Sequence, residues 1–574
     1  MKFLQKRAAQ VSKPAVSPTF KSAGLGNERN YADLEIRDTA DLEVCATMPA
    51  FRRLLPMNTP TLAAAIFTLF SLWLCSPALA LDGEPYIHDP STVMPCDGKF
   101  YAFGTGGGGL ISDDGWTWHS GAVRPGGGVA PDVIHIGDRY YVAFARGGGG
   151  LAGGHAANIY VMWTKTLDPN SPDFGFHDET NAVASSDGVE DCDAIDPAFL
   201  LDPTDGRLWL SYGTFFGYIR VVELDPKTGK RVAGNEPVNI AIDCEATDMM
   251  YRDGWYYLLG DHGTCCDGAN STYNIVVGRS RKVTGPYLDD MGVDMLMGGG
   301  KMFVAASDRH IGPGHFGLLN LGDNVEKWSC HYEADLDKGG RSVLDIRPLL
   351  WKDGWPVAGD NFKEGTYEIQ SERSGYALEL AVDFVRMGGG RGGFGGFGGF
   401  GGPRGFGNRR GTNSPSGTNA PGGPGFGFNR APVGPVTPIP LQTLAQVSSN
   451  WPASDIDIRL GDYMLRPQQK WTITPVAGVG GYPGSPYFKI TIAGTDRALA
   501  ATADAEVVAV PAFTGAPEQL WRIDQLTDGT YRIMPKGVPN STGPLALTAV
   551  GESTPTLAKF DPSSDKSRWN FRTP

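Results

Sequence analysis

A short turn-and-strand pattern recurs between residues 97 and 330, and it constrains the fold more than any other feature of the sequence. Each copy has an Asp/Gly turn followed at once by aromatic or aliphatic residues, which is typical of a β-hairpin. The clear copies are Asp97-Gly98-Lys99-Phe100-Tyr101, Gly137-Asp138-Arg139-Tyr140-Tyr141, Asp205-Gly206-Arg207-Leu208-Trp209 and Asp253-Gly254-Trp255-Tyr256-Tyr257. A degenerate fifth copy lies near Trp328. The pattern predicts an all-β domain built from repeats.

A second series of motifs precedes these turns, and four of its five members contain a carboxylate. The members are His88-Asp89-Pro90, Ala130-Pro131-Asp132, Ile195-Asp196-Pro197, Glu245-Ala246-Thr247 and Gly312-Pro313-Gly314-His315. Division of residues 83–360 into five units gives repeats of roughly 55 residues, which suits four-stranded blades with long loops. We therefore predict a five-bladed β-propeller, whose inner strands converge on one axis and bring these motifs to one mouth.

The chain changes character near residue 360. Residues 386–438 are dominated by Gly-Gly-Phe repeats with Arg, Asn and Pro, which cannot bury a core and are expected to form a flexible surface insertion. A Q-x-W-type element then recurs at spacings of 50 and 48 residues: Gln469-Lys470-Trp471, Gln519-Leu520-Trp521 and Ser567-Arg568-Trp569. This threefold repetition predicts a pseudo-threefold β domain over residues 361–574, interrupted by the glycine-rich insertion.

The N-terminal region predicts export. Two consecutive arginines precede the apolar run 62–79, which ends in a small-residue cleavage motif at Ala80. We expect cleavage after Ala80, a mature chain that begins at Leu81, and a secreted or periplasmic protein. A membrane anchor is the alternative, but the run is short for a stable span. Residues 1–47 precede this signal and are expected to be a leader without a fold or the result of a start codon placed too early.

Charge and cysteine content limit which ligands and metals the protein is expected to bind. The net charge of −13 argues against a nucleic-acid partner, because binding to phosphate backbones needs concentrated Lys and Arg. Six cysteines follow Ala80, and export permits disulfides, but no CxxC pair has the spacing of a zinc site. The vicinal pair Cys265-Cys266 cannot bridge without local strain, and the pairing of the cysteines stays open.

Three carboxylates on three converging blades have the composition that glycoside hydrolysis needs. One carboxyl group must protonate the leaving oxygen, and an inverting enzyme holds a second carboxylate roughly 6.5–9.5 Å away so that a water fits between them. The donor keeps its proton near neutral pH only if burial or a neighbouring carboxylate raises its pKa. Asp89, Asp196 and Glu245 can supply the base, the pKa modulator and the donor.

Residues 85–360 resemble glycoside hydrolase family 43, and within it the endo-arabinanases, which are arabinan endo-1,5-α-L-arabinosidases. Ordered motifs across nearly the whole predicted propeller carry the resemblance. They are His88-Asp89-Pro90-Ser91, Asp193-Ala194-Ile195-Asp196-Pro197, Gly206-Arg207-Leu208-Trp209-Leu210-Ser211-Tyr212-Gly213, Val222-Glu223-Leu224-Asp225-Pro226, Cys265-Cys266, Val277-Gly278-Arg279-Ser280, Val283-Thr284-Gly285-Pro286-Tyr287, Gly312-Pro313-Gly314-His315, Arg347-Pro348-Leu349 and Asp353-Gly354-Trp355-Pro356.

The resemblance implies a role for each central residue. Asp89 would be the general base that activates water, Glu245 the general acid, and Asp196 the residue that orients the acid and holds up its pKa. His315 matches the histidine of the family's central cavity, which implies one calcium or other hydrated cation near the axis. The substrate-binding residues predicted in addition are His88, Asp132, Cys265 and Cys266.

The sequence departs from the family where the sugar is gripped. The family usually has Trp before Ala-Pro-Asp, whereas this chain has Val129 among glycine runs. Sugar stacking must therefore come from another aromatic side chain, and we expect Trp116, Phe215 or Phe216 to supply it. These changes leave the chemistry in place and bear on linkage and chain-length preference.

The C-terminal region resembles a ricin B-type β-trefoil. Its Tyr367-Glu368-Ile369 and Ser374-Gly375 opening and the three Q-x-W-type elements carry that resemblance. Such domains often bind sugars, which implies a second glycan site that would tether the enzyme to polymer. A purely structural cap is the alternative, because the Q-x-W residues are core elements.

Three functions remain open from the sequence. The first is an inverting endo-acting arabinanase on α-1,5-linked arabinan. The second is an exo-acting α-L-arabinofuranosidase, β-xylosidase or galactanase of the same family, with the loops 144–156 and 170–190 deciding between an open cleft and a blocked pocket. The third is a non-catalytic glycan-binding propeller, against which the retention of all three acids argues.

Overall fold

The computed structural model describes residues 80–147, 156–186, 193–214, 217–382, 441–551 and 554–574. The predicted signal segment before Ala80 and the glycine-rich insertion 386–438 lie outside these residues. Strands dominate the described chain, as the alternating apolar pattern predicts. No helix in these ranges is long and apolar enough to cross a membrane.

Five antiparallel sheets form the five blades of a propeller, so the predicted architecture of the first domain is confirmed. Blade 1 contains β1 (Asp82–Gly83), β2 (Met94–Cys96), β3 (Lys99–Phe103), β4 (Gly108–Ser112) and β5 (Thr117–Val123). Blade 2 contains β6 (Val129–Ile136), β7 (Arg139–Arg146), β8 (Asn158–Thr164) and β9 (Ala182–Ser185). Blade 3 contains β10 (Ala198–Leu201), β11 (Leu208–Gly213), β12 (Tyr218–Leu224) and β13 (Val238–Ile242).

The last two blades follow the same order. Blade 4 contains β14 (Glu245–Arg252), β15 (Trp255–His262), β16 (Asn274–Ser280) and β17 (Lys301–Val304). Blade 5 contains β18 (His310–Asn320), β19 (Glu326–Asp335), β20 (Arg341–Lys352) and β21 (Trp355–Ala358). Short 3-10 turns at Gly268–Asn270, Met295–Met297 and Leu336–Lys338 connect these strands.

The recurring Asp/Gly turns join β2 to β3 in blade 1 and the first strand to the second in blades 2, 3 and 4. Asp253 and Gly254, between β14 and β15, both have left-handed backbones, with φ of 51° and 80°. That combination defines a type I′ turn, whose twist matches the flanking strands and which favours Asp-Gly. The degenerate fifth copy is the turn between β18 and β19, which begins with Gly322 (φ 74°) and precedes Trp328.

The N-terminal segment joins blade 5 to blade 1. Strand β1 pairs in parallel with β5, the outer strand of blade 1. Tyr86 pairs with Val343 of blade 5, and the amide of Leu344 donates to the carbonyl of Pro85 at 2.8 Å. The first and last blades also share one apolar cluster, which includes Leu81, Trp118, Leu319 and Ile346. This clasp stabilises the ring of blades and fixes the inner strands around the axis.

The C-terminal domain is a β-trefoil-like barrel, which confirms the second predicted fold. Its strands are β22 (Gly365–Ser371), β23 (Ala377–Leu380), β24 (Ile456–Gly461), β25 (Trp471–Pro475), β26 (Gly481–Tyr482), β27 (Ser485–Pro486), β28 (Phe488–Ile492), β29 (Ala498–Ala501), β30 (Val507–Val510), β31 (Trp521–Gln525), β32 (Tyr531–Pro535), β33 (Ala546–Val550), β34 (Thr554–Ala558) and β35 (Trp569–Arg572). Helix α1 (Leu444–Ser448) and 3-10 turns at Pro467–Gln469 and Pro517–Gln519 complete it.

The three tryptophans of the Q-x-W-type elements occupy equivalent positions in the trefoil core. Trp471, Trp521 and Trp569 are fully buried in one cluster. Each indole N–H donates to the carbonyl of a leucine at 2.8 or 2.9 Å, on Leu378, Leu499 and Leu547 in turn. Buried indoles need such a partner, so the repeated element is explained by core structure.

The two domains share an extensive contact. The amide of Gly481 donates to Asp114 of blade 1 at 2.8 Å, and the amide of Trp351 in blade 5 donates to the carbonyl of Thr527 at 2.8 Å. Apolar residues from both domains form a common cluster, which contains Val325, Leu526, Ala546 and Phe560. The trefoil is therefore packed on blades 5 and 1, where it also contacts Asp323 and Asn324 in the turn between β18 and β19.

Cysteines of the described chain lie apart, with one exception. Cys96, Cys244 and Cys330 are buried without a disulfide partner among the described residues, and Cys192 lies outside them. The Sγ atoms of the vicinal pair Cys265 and Cys266 are 2.7 Å apart.

Candidate active site

The five motifs of the polar series share an unusual backbone. Each contains one non-glycine residue in the left-handed region, with φ between 45° and 56°: Asp89, Ala130, Asp196, Ala246 and His315. A left-handed conformation costs an ordinary residue about 1–3 kcal/mol and persists only where the surrounding structure enforces it. Its recurrence once per blade marks the inner mouth of the propeller as a built site.

Irregular pairing accompanies this backbone in three blades. The register between the first two strands shifts at Val129–Asp132 in blade 2, at Glu245–Asp248 in blade 4 and at Gly314–Gly317 in blade 5. Such bulges are frequent beside active sites because they redirect a side chain out of the regular alternation. The bulges begin at or beside the motifs that the sequence singles out.

Asp89 is held by three side-chain donors. His315 Nε2 and His88 Nδ1 each lie 2.9 Å from Asp89 Oδ1, and the Thr105 hydroxyl donates to Oδ2 at 2.5 Å. Burial alone would raise the pKa of Asp89, but His315 and His88 outweigh it and hold this pKa well below its usual range. Asp89 is therefore ionised at neutral pH and can accept a proton.

Asp196 and Glu245 have the opposite electrostatic character. Both are buried, and the amide of Ala246 donates to Asp196 Oδ2 at 3.3 Å. Burial raises the pKa of Glu245 above its usual value, although a hydrogen bond from Tyr273 and the charge of His315 oppose the shift. Burial likewise raises the pKa of Asp196 well above its usual value, and the negative charges of Glu245 and Asp89 add to it. Asp196 and Glu245 therefore keep their protons to a higher pH than Asp89 does.

His315 brings positive charge to the axis. Its amide donates to Asp261 Oδ2 at 2.8 Å. Burial would lower the pKa of the imidazole, but the negative charge of Asp89, joined by Asp196 and Asp261, raises it to about 10. Asp261 is also buried, and among the described residues no hydrogen-bond donor reaches its Oδ1.

A further layer of polar residues supports Asp89 from blade 5. The amide of Asp89 donates to Nδ1 of the buried His331 at 2.9 Å. Burial and the neighbouring His315 and His88 hold the pKa of His331 well below its usual range, so this imidazole is neutral. The buried Glu333 lies 3.5 Å from His88 Nε2 and 3.7 Å from His331 Nε2. The Asp89 amide therefore fixes the tautomer of His331, because Nδ1 accepts its hydrogen bond and the ring hydrogen must lie on Nε2.

A small cavity lies among the motifs of all five blades. Its volume is about 20 Å³, and its polar lining includes Asp132, Asp196 and His315. This space is sufficient for one water molecule or one ion of similar size.

One predicted substrate contact, Trp116, is wrong, and another, Asp132, has a structural role. Trp116 is only 8% exposed, and a side chain at Gly481 of the trefoil would overlap its Cβ. Trp116 therefore packs between the domains on the outer strand of blade 1 and cannot stack on a sugar at the axis. Asp132 is 6% exposed, and its oxygens accept the amides of Thr92 at 3.1 Å and Phe199 at 2.9 Å. Its carboxylate ties blades 1, 2 and 3 together, and its predicted contact with substrate stays a prediction.

The other predicted contacts remain predictions. His88 is half-exposed beside Asp89, and Cys266 is exposed at the loop that precedes β16. Cys265, its half-buried neighbour, interacts electrostatically with Glu245. Phe215 and Phe216 lie outside the described residues.

Four functional neighbours were missed in the sequence. Thr105, Asp261, Tyr273 and Glu333 contact the central residues, but none belongs to the repeated motif series. Asp261 could have been singled out in the sequence, because it is a carboxylate near the end of the otherwise apolar strand β15. Glu333 similarly interrupts a buried stretch of β19.

Comparisons with known proteins match both domains. The family model described as Glycosyl hydrolases family 43 matches residues 95–356, and the model described as ricin-type beta-trefoil lectin domain-like matches residues 467–556. The chain is 31% identical over 338 residues to the extracellular endo-alpha-(1->5)-L-arabinanase 1 of Bacillus subtilis, with 53% of this chain and 98% of that protein covered. It is 32% identical over 305 residues to the extracellular exo-alpha-(1->5)-L-arabinofuranosidase ArbA of Cellvibrio japonicus, with 47% and 85% covered.

A solved structure is similar over the same region. The exo-1,5-alpha-L-arabinanase from a bovine ruminal metagenomic library has a TM-score of 0.45 and 32% identity, with 49% of this chain and 100% of that chain covered. The Bacillus subtilis relative is matched over 98% of its length, and the family model covers nearly all of the five blades. The chain therefore belongs to family 43 of the glycosyl hydrolases.

Proposed function

We propose that this glycoside hydrolase cleaves α-1,5-linked arabinan within the polymer and with inversion at the anomeric carbon. One observation carries the proposal. At the mouth of the propeller, an ionised carboxylate, Asp89, and a buried carboxyl group of raised pKa, Glu245, occur together. This is the pair of protonation states that single-displacement hydrolysis of a glycoside requires.

Each carboxyl group has a distinct part in the proposed reaction. Asp89 takes a proton from a water molecule as that water attacks the anomeric carbon. Glu245 gives its proton to the oxygen of the leaving sugar, so that no free alkoxide forms. Asp196 accepts the amide next to the acid, and its electrostatic interaction with Glu245 supports its proposed role as the pKa modulator. His88, His315 and Thr105 keep Asp89 in place through the cycle.

Arabinan is supported as substrate by the relatives, which do not separate endo from exo action. Enzymes named for endo and for exo action on α-(1->5)-linked arabinose chains are 31% and 32% identical to this chain. The wall beside Val129 favours endo action. A Cβ at Gly126 would lie 2.8 Å from the Phe144 ring, and one at Gly128 would lie 2.2 Å from the carbonyl oxygen of Ala145. These glycines therefore pack closely against β7, and because they add no side chain next to Val129, they suit a cleft through which a polymer passes.

The direct test uses purified protein and debranched arabinan, with products sized over time. We expect a ladder of oligosaccharides in the first minutes, because an open cleft binds internal sugars. The configuration of the first products, followed by NMR, is expected to be inverted. Release of monosaccharide alone would instead indicate exo action, activity only on xylan or galactan would indicate the related specificities, and no products from any of these would indicate a glycan-binding propeller.

A cation near His315 is a further part of the proposal. Asp261 offers a buried carboxylate oxygen without a partner among the described residues, and carboxylate oxygens are the ligands that calcium prefers. His315 would be the second ligand in its neutral form, because a metal-binding imidazole must first lose its proton. The cavity of about 20 Å³ admits one ion without a full hydration shell. The bound cation would supply positive charge that offsets the clustered carboxylates. Calcium titration followed by calorimetry tests this, and the absence of binding heat would contradict it.

The trefoil is proposed to hold the enzyme on polymer. A second sugar site raises the local concentration of substrate without any change at the active site. The support is the match of residues 467–556 to a lectin-like family. Retention of a Glu245→Gln variant on insoluble arabinan tests the tether, and equal binding by the protein without residues 361–574 would contradict it.

Export with cleavage after Ala80 is also proposed. Leu81 is 2% exposed in the cluster shared by the first and last blades, and β1 begins at Asp82. Cleavage after Ala80 therefore removes the apolar segment without loss of a strand. N-terminal sequencing of the exported protein is expected to begin at Leu81.

A further inference from the structure

Tyr273 contacts the proposed general acid although no motif in the sequence drew attention to it. It lies directly before β16 and is 3% exposed. Its hydroxyl group donates to Glu245 Oε1. We propose that Tyr273 is a positioning residue that leaves the catalytic proton of Glu245 on Oε2. This inference rests on the proposed role of Glu245 as the acid.

The chemistry of a carboxyl group carries the argument. A protonated carboxyl has one carbonyl oxygen, which accepts a hydrogen bond, and one hydroxyl oxygen, which donates. Burial, together with the negative charge of Glu245, raises the pKa of the Tyr273 phenol well above its usual value. The phenol therefore keeps its hydrogen and acts as the donor. Since Oε1 accepts that hydrogen and the carbonyl oxygen is the stronger acceptor of a carboxyl group, the contact favours the transferable proton on Oε2.

The fold holds Tyr273 from two sides. The Tyr273 amide donates to the Ser271 hydroxyl oxygen at 3.2 Å, and that hydroxyl donates to the carbonyl of Thr264 at 2.8 Å. On the other side lies Gly314, where an added Cβ would be 2.8 Å from Cδ2 of the Tyr273 ring. A glycine at this point of blade 5 leaves room for the ring against the acid.

The hydrogen bond opposes the raised pKa of Glu245 but does not remove it. Donation from Tyr273 stabilises the ionised carboxylate and lowers the pKa, whereas burial raises the pKa by more. A residue that only tuned the acid upward would not donate to it. The contact is therefore better explained by control of which oxygen carries the proton.

The test compares two leaving groups with Tyr273→Phe. A sugar hydroxyl needs protonation to leave, whereas 2,4-dinitrophenolate leaves without it. We expect Tyr273→Phe to lower kcat on arabinan about tenfold to hundredfold, at the lower end of what an acid supplies. On the 2,4-dinitrophenyl glycoside of an α-1,5-arabino-oligosaccharide, kcat should change less than about threefold. In a Glu245→Gln background, Tyr273→Phe should cost nothing further on either substrate.

Tyr287→Phe is the matched control. Tyr287 is a buried tyrosine of the same blade, and its hydroxyl donates to the carbonyl of Val283 at 2.8 Å, away from any carboxyl group. This variant should lose comparable stability and leave both rates unchanged. If Tyr273→Phe does not fold, Ser271→Ala removes the hydroxyl that accepts the Tyr273 amide and keeps the phenol, and the same difference between leaving groups is expected.

The outcomes separate this inference from the proposed function. Equal losses on both substrates would show a merely structural role for Tyr273 and overturn the inference, while arabinan hydrolysis by the wild-type protein would keep the proposed function intact. A wild-type protein that hydrolyses neither substrate would contradict the proposed function and the positioning role together.

Discussion

Glu245→Gln is expected to lower kcat on arabinan by at least about a hundredfold, because the amide has no proton to give to the leaving oxygen. Glutamine has nearly the same shape, and it can still accept the hydrogen bond from Tyr273 through its amide oxygen. The loss should therefore come from chemistry and not from a rearranged site. Steady-state kinetics on debranched arabinan measure the loss, with KM expected to stay within about threefold.

The pH dependence of the activity provides an independent test of Glu245 as the acid. Burial raises the pKa of Glu245, and the reaction needs its protonated form. Wild-type activity should therefore be full below that raised pKa and decline as the pH rises through it. The alkaline decline is expected to disappear from the residual activity of Glu245→Gln, because residue 245 then no longer titrates.

A second buried glutamate provides the control. Glu368 lies in the trefoil, where burial also raises the pKa of its carboxyl group. Glu368→Gln makes the same chemical change in a buried strand far from the propeller axis, and it should leave kcat unchanged. Full activity in Glu245→Gln would refute the assignment of the acid.

The polar motifs were predictable because the propeller repeats them. One motif per repeat indicates that Asp89, Asp196, Glu245 and His315 meet on the axis, even though more than 200 residues separate the first from the last. The left-handed backbone at these motifs was not readable. Ala130 and Ala246 adopt it as well, although alanine carries no preference for that region.

The supporting residues could not be predicted, since they lie in ordinary strands and loops. Tyr273 and Glu333 reach the site only because blade geometry places β16 and β19 beside the inner strands. Trp116 was misassigned because its partner in the other domain could not be read from the sequence. An aromatic residue suits a sugar platform and a domain interface equally well, and only the packing of Gly481 against Trp116 separates the two.

The trefoil shows that a repeated motif can predict the fold without indicating a function. Gln469 and Gln519 each accept a backbone amide five residues earlier, at 2.8 and 2.6 Å. Ser567 instead contacts the Thr548 hydroxyl at 2.7 Å. These contacts shape loops around the buried tryptophans, so the Q-x-W-type elements predict three repeats and carry no information about a sugar site.

Asp89→Asn is expected to lower kcat on arabinan by about 10²- to 10⁴-fold, the range that a general base supplies. The amide cannot take the proton that the attacking water must release. Asparagine tolerates the left-handed backbone of Asp89 (φ 51°), so the site should keep its shape. His88 and His315 hold the pKa of Asp89 well below its usual range despite its burial. They cannot make the amide of asparagine basic, so the loss of activity should persist at every pH.

Asp97→Asn separates this effect from the cost of altering a left-handed aspartate. Asp97 has φ of 50° in the same blade, and its carboxylate accepts the Thr166 hydroxyl at 2.6 Å in the turn before β3. Both variants replace an aspartate by asparagine in the same left-handed backbone conformation. Only Asp89 faces the proposed water. Thermal denaturation should show similar, small losses for the two, and kinetics should show a loss for Asp89→Asn alone. Comparable rates in the two variants would exclude Asp89 as the base, since the chemical step would then not depend on its carboxylate.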